Sequence, residues 1–160
     1  MKGRTIFFYL IGITMFISAC SINSKPGDES LTTESEYGEL LSTFQEEKME
    51  IEVSTDKNVY SKKEDEIIFK IHNTGTESVG FGVPIYVEKL KGDKWYKIPY
   101  TERLAFTDNL LEVEPKSHFE QTVELRYLDY QLTEGYYCAV KSFSVNDEDL
   151  VLGIEFELNE

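Results

Sequence analysis

Chemistry in this chain would have to come from two histidines, two cysteines and an excess of carboxylates. A nucleophile needs a base beside it. His72 falls on the polar side of an alternating stretch and His118 begins another, so both are expected to be solvated strand histidines rather than bases. No G-x-S-x-G, H-E-x-x-H, phosphate-binding or dinucleotide fingerprint occurs. No C-x-x-C is present, so dithiol redox chemistry and structural zinc lack their usual ligands. With 30 acidic residues, paired carboxylates of the kind used in glycoside hydrolysis arise by composition alone and signal little. One acidic run, Asn146-Asp147-Glu148-Asp149, invites a metal, with Asp147 and Asp149 as weak candidate oxygen ligands for calcium. It lacks the spaced ligands of known calcium loops, and a solvated hairpin tip is the preferred reading. Tyr86, Tyr96, Tyr100, Tyr127, Tyr130 and Tyr136 offer contact area at low entropic cost. Strands also favour tyrosine for packing alone, and that reading is preferred. No catalytic residue, no metal and no cofactor are expected, and the chain is read as a non-enzyme.

The first cysteine has a different context. Lys2 and Arg4 form a positive start, residues 6–17 are apolar and uncharged, and small residues come next. That is the layout of a secretory signal, and the apolar run is short of the ~20 residues that span a bilayer. Ile17-Ser18-Ala19-Cys20 closes it and resembles the bacterial lipobox. The resemblance implies a diacylglycerol on the Cys20 thiol, cleavage before Cys20, and a protein held on the outer side of the cell membrane. Two acyl chains hold a protein where one is marginal, at about 0.8 kcal/mol per buried methylene. With Cys20 acylated no intrachain disulfide can form, and Cys138 reads as a half-buried strand thiol.

The remaining chain must position any site. Its net charge is −14 over 160 residues. That excludes a basic stripe for nucleic acid and favours standing off from an anionic lipid surface. Residues 20–48 read as an acidic tether after the 1–19 signal peptide. The stretch around Pro26-Gly27-Asp28 is polar and turn-rich, with too little apolar surface to offset its ordering entropy. As a coil, its roughly 28 residues would span about 30 Å. Leu40, Leu41 and Phe44 have helical spacing, so a short amphipathic helix is the local expectation, weakened by Gly38. From Met49 the period becomes two: Ile51 and Val53, then Ile67, Phe69 and Ile71, then Phe119 to Tyr127, then Leu150 to Leu158 alternate with polar residues. Turn residues separate these runs, and Lys91-Gly92-Asp93-Lys94 reads as a hairpin. Pro84 suggests an edge or a bulge in its strand. About seven strands without a helix between them predict an all-β antiparallel sandwich over residues 49–160.

Three stretches stand out: Thr55-Asp56-Lys57-Asn58-Val59-Tyr60 followed by Asn73 and Gly75, then Trp95 and Ile98-Pro99, and then Leu132-Thr133-Glu134-Gly135-Tyr136-Tyr137. Together they resemble the bacterial immunoglobulin-like domains of Gram-positive surface proteins and lipoproteins. The resemblance implies a tyrosine corner in which Gly135 permits the turn and the Tyr137 hydroxyl bonds upstream backbone. Two departures imply altered turns: Lys62-Lys63-Glu64-Asp65 stands where a Pro-Gly turn is usual, and Lys116 stands where glycine follows the proline. The resemblance also implies a non-catalytic interaction module of the cell envelope. The expected partners are the membrane, through lipid on Cys20, and an envelope protein, through a strand edge near Pro84. Ligand or calcium binding is the alternative.

Overall fold

Each period-two segment becomes a strand because its branched and aromatic side chains share one side and its acids and lysines the other. The computed structural model describes residues 26–145 and 148–160. Among them eleven strands form two sheets. The four-stranded sheet has the order β1 (Thr43–Glu46), β2 (Met49–Thr55), β4 (Glu66–Asn73), β9 (Ser117–Glu124), all antiparallel. The seven-stranded sheet is built on the long hairpin of β10 (Gly135–Val145) and β11 (Glu148–Asn159). On its other side β10 pairs with β5 (Val79–Gly82) at Phe143 and Ser144, and with β6 (Tyr86–Lys91) from Tyr137 to Val140. β5 continues to β8 (Leu110–Val113) and β6 to β7 (Lys94–Ile98). β3 (Val59–Ser61) lies beside β11, with Glu157 opposite Val59. The fold is thus an all-β sandwich, with two corrections to the sequence reading. Short strands raise the number from seven, and the β3–β11 pair is parallel.

The core lies between the sheets, where Ile51, Phe69, Ile71, Phe81, Phe143 and Phe156 are each at most 2 % exposed. Asn73 ties its rim: its amide donates to Glu77 O (2.7 Å) and Val113 O (3.0 Å), and its oxygen accepts from Gly75 N (3.0 Å). Lys116 takes φ +57° before β9, the left-handed conformation that glycine adopts without cost. At the other departure, the Ser61 amide donates to Glu64 Oε1 (3.1 Å) and the Glu64 amide to Ser61 O (2.9 Å), closing a turn without proline or glycine.

The coil expected before Met49 is not what residues 26–48 form. They make a strap. Leu31 is 3 % exposed, in the main core. Residues 33–35 run along β7, with Lys97 N bonded to Thr33 O (2.9 Å) and Ser35 N to Trp95 O (2.8 Å). The strap then crosses the outer face of the seven-stranded sheet to β11, where Gly153 N donates to Leu41 O (3.0 Å), and enters the other sheet as β1. The helix expected around Leu40 is absent, because Phe44 pairs opposite Ile51 in a strand. Composition misled here: few apolar residues are enough when Leu31, Leu40 and Phe44 each meet a prepared surface.

Candidate functional site

The strap is latched at one corner of the sandwich. Gly135, at φ +134°, begins β10 in a conformation that side chains rarely adopt. It directs Tyr137 into the core, where the hydroxyl donates to Thr133 O (2.6 Å) and accepts from Thr133 N (3.1 Å). Lys89 enters from β6 and is only 3 % exposed. Its ammonium donates to Thr133 Oγ1 (2.5 Å), Glu134 O (3.1 Å) and Tyr137 Oη (3.1 Å), and lies 4.6 Å from the centre of the Tyr137 ring. Asp28 of the strap completes the cluster. It accepts from Tyr130 Oη and Thr133 Oγ1 (3.1 Å) and lies 3.8 Å from Lys89 Nζ. Burial alone would raise the Asp28 carboxyl. The Tyr130 hydrogen bond, the Lys89 charge, Thr133 and Lys91 together outweigh it and hold the group below the usual carboxylate range. Burial, then the Asp28 carboxylate, pushes the Tyr130 hydroxyl far up.

Beneath the strap lies a second small core of Trp95, Cys138 and Val140, joined by Leu40, Leu90 and Val151. Gly153 makes it fit. A Cβ there would lie 2.8 Å from Cys138 Sγ and 2.9 Å from Leu40 Cβ. Glu88, opposite Cys138, is 1 % exposed and bonded by Ser35, while its Oε2 has no hydrogen-bond partner among the described residues. Burial raises its carboxyl above the usual range. Burial, then the nearby Glu88 and Glu155 charges, pushes the Cys138 thiol up to about 12, leaving it an inert packing group.

A third feature surrounds Pro84. The strand breaks at residues 83–85, yet β5 and β6 on either side both pair with β10, so of the edge or bulge expected at Pro84 the edge is not found and the strand is interrupted there. The carbonyls freed by the break are bound from within. Lys141, fully buried, donates to Val83 O (3.1 Å), Pro84 O (3.2 Å) and Gln121 Oε1 (3.0 Å), and Gln121 Nε2 donates to Val83 O (2.7 Å). Burial pushes the Lys141 ammonium down to about 8. Outside this plug, Ile85, Tyr100, Leu104, Phe106, Val123 and Tyr127 line a cleft of about 120 Å³. The Tyr100 hydroxyl is anchored on Ile85 O, and burial raises its pKa well above the usual tyrosine value. β9 contributes to the cleft wall and is an edge strand of its sheet.

The family model for the bacterial Ig-like domain matches residues 47–157, most of the chain. The chain belongs to that family. No curated protein matches it. A solved structure of a β-glucosidase from Erythrobacter marinus is similar at 11% identity and a TM-score of 0.39, over 69% of this chain and 16% of that one. The chain thus spans about a sixth of that enzyme, and so weak a likeness says nothing about activity.

The Ig-like domain therefore begins within the β1–β2 turn, and most of the strap lies outside the family match. Ile17, Ser18, Ala19 and Cys20 fall outside the described residues, as does Asp147. Asp149 is exposed in β11 opposite Ser144, on a strand and not in the loop expected for a calcium ligand. Among the described residues no three His, Cys, Asp or Glu side chains are grouped to hold a metal. Of the tyrosines weighed for a contact face, Tyr130 is buried, Tyr100 and Tyr127 border the cleft, and Tyr86 and Tyr136 are about half exposed (49% and 53%). Sequence reasoning missed Asp28, Lys89 and Lys141. One signal was available: Tyr136 to Val140 is apolar or small without alternation, the mark of a strand covered on both faces.

Proposed function

We propose that the chain is an extracytoplasmic lipoprotein, moored by lipid on Cys20, whose Ig-like domain is a non-catalytic module binding an extended segment of a neighbouring envelope protein. The observation that carries this reading is the eight-residue β9, unpaired on its outer side among the described residues and bordering the aromatic cleft. An added strand gains main-chain hydrogen bonds from such an edge and specificity from a pocket that takes one of its side chains. The partner edge expected at Pro84 moves to β9, next to the same break. The docked strap leaves six residues from Cys20 to Pro26, and so the corner end of the domain would lie within ~20 Å of the lipid surface.

The test uses the full chain in its own cells, with photo-cross-linking residues at Glu120 and Thr122. A single recurrent adduct, weakened by Phe106→Glu, supports the reading. Adducts that are absent, or indifferent to Phe106, overturn the β9 site. A mature chain that carries no acyl groups on Cys20 by mass spectrometry overturns the lipid anchor.

A further inference from the structure

The sequence has two histidines, 46 positions apart, and the fold sets them side by side. In the β4–β9 ladder His72 is directly opposite His118, and their rings stack with centroids 6.0 Å apart and planes 24° from parallel. Both lie on the outer face of the four-stranded sheet, His72 half-buried and His118 exposed. Directly opposite residues on paired strands hold their Cβ atoms about 5 Å apart. Two imidazole nitrogens at ~2.0–2.1 Å from one ion sit about 3.3 Å apart in tetrahedral geometry. Rotation of the two rings about their side-chain bonds closes that difference without moving backbone, and the exposed His118 is free to make it.

The surroundings favour a cation. Glu52 is opposite His72 on β2, Glu50 is two residues before Glu52, Glu120 is two residues beyond His118, and Glu66 and Glu124 face each other further along the ladder. Against these five carboxylates the strands of this face carry one lysine, Lys70, paired to Glu120 at 3.0 Å. Arg126 pairs with Glu124, and Lys116 turns away to Thr74 O.

We infer that His72 and His118 form a two-imidazole site for a borderline first-row dication, with copper(II) bound most strongly, then nickel(II) and zinc(II). Neutral imidazole is the ligand these ions share, and copper heads their affinity order. Water fills the other positions, in keeping with the absence of a third grouped ligand among the described residues. Glu52 and Glu120 supply field and orientation rather than direct bonds. The bound ion would clip β4 to β9, one of the two edge pairs of this sheet.

The inference is independent of the partner reading and is tested on the purified full chain with the metal chlorides alone. Copper(II) titration followed by electron paramagnetic resonance should show one ion per chain with two nitrogen ligands. His72→Ala and His118→Ala should each weaken binding at least about ten-fold, with an unchanged β circular-dichroism spectrum. Zinc(II) should raise the melting temperature of the parent and not of either variant, since only the folded ladder holds both rings together. Magnesium chloride at equal concentration should do neither. Copper or zinc binding unchanged in the double variant, or a single nitrogen ligand in the parent, overturns the site.

Discussion

On the outer face of the seven-stranded sheet, Trp95, Cys138 and Val140 lie beneath a strap. On the outer face of the four-stranded sheet, Glu52, Lys70, His72, His118 and Glu120 are at least partly open to solvent. The two sheets share one core and one kind of ladder, so the difference is not in the strands' backbone. It lies in the neighbours of each inward residue. β2 alternates Ile51 and Val53 with Glu50 and Glu52, and one face is satisfied by water. β10 sets Cys138 and Val140 between Tyr137, Ala139 and Lys141, and its second face needs a cover. The strap supplies that cover with few apolar residues because three devices hold it: strand-like bonds to β7, the Asp28 corner, and contact over Gly153.

Gly153→Val should break the contrast most strongly. The new side chain meets Cys138 and Leu40 at under 3 Å, and the strap must lift. A loss of about 3 kcal/mol is expected in denaturant titration, with new proteolytic cleavage near Gly38. Glu52→Val on the open face should change stability by no more than about 0.5 kcal/mol. Equal effects would mean that the strap does not seal a core. Glu88→Gln is next. The folded-state pKa of Glu88 is raised above its unfolded value by burial, so its contribution is fully present below the ordinary carboxylate pKa and is lost as pH rises through the folded value. The variant should therefore match the parent near pH 4 and exceed it at pH 8 by roughly 1 kcal/mol, the scale of one unsatisfied buried polar atom. A parent equally stable at both ends relative to the variant would place that carboxylate in water. A smaller gain than that of Glu88→Gln touches neither face. Lys116→Gly relieves the left-handed backbone before β9 and should stabilise by about 0.5 to 1 kcal/mol in thermal melts, after the flexibility of glycine offsets part of the gain. A destabilised variant would show that the Lys116 bond to Thr74 O outweighs the strain.

Much of the sandwich was legible in the chain. Ile67, Phe69 and Ile71 announced their inward face, and the Gly92-Asp93 hairpin its turn, because a strand's period and a two-residue loop are set by residues in immediate succession. The Thr133 to Tyr137 corner was expected through the family resemblance, and its partners are four positions apart. The strap was not. Its polar composition reads as coil, and only docking shows where Leu31 and Leu40 go. Lys89 and Lys141 were equally hidden, because nothing local marks a lysine as buried; each is held by acceptors 20 to 58 positions distant.

Taken alone, the order of residues determined an all-β body and its inward positions. These rest on contacts within a few positions, where side-chain alternation and backbone preference act without knowledge of the fold. Tertiary structure decided the rest: that Asp28 reaches Tyr130 across 102 positions, that the sheet bearing Cys138 is roofed, and that His72 meets His118. Those outcomes depend on strand order and register, and a shift of one residue in either ladder would send the same side chains to opposite faces.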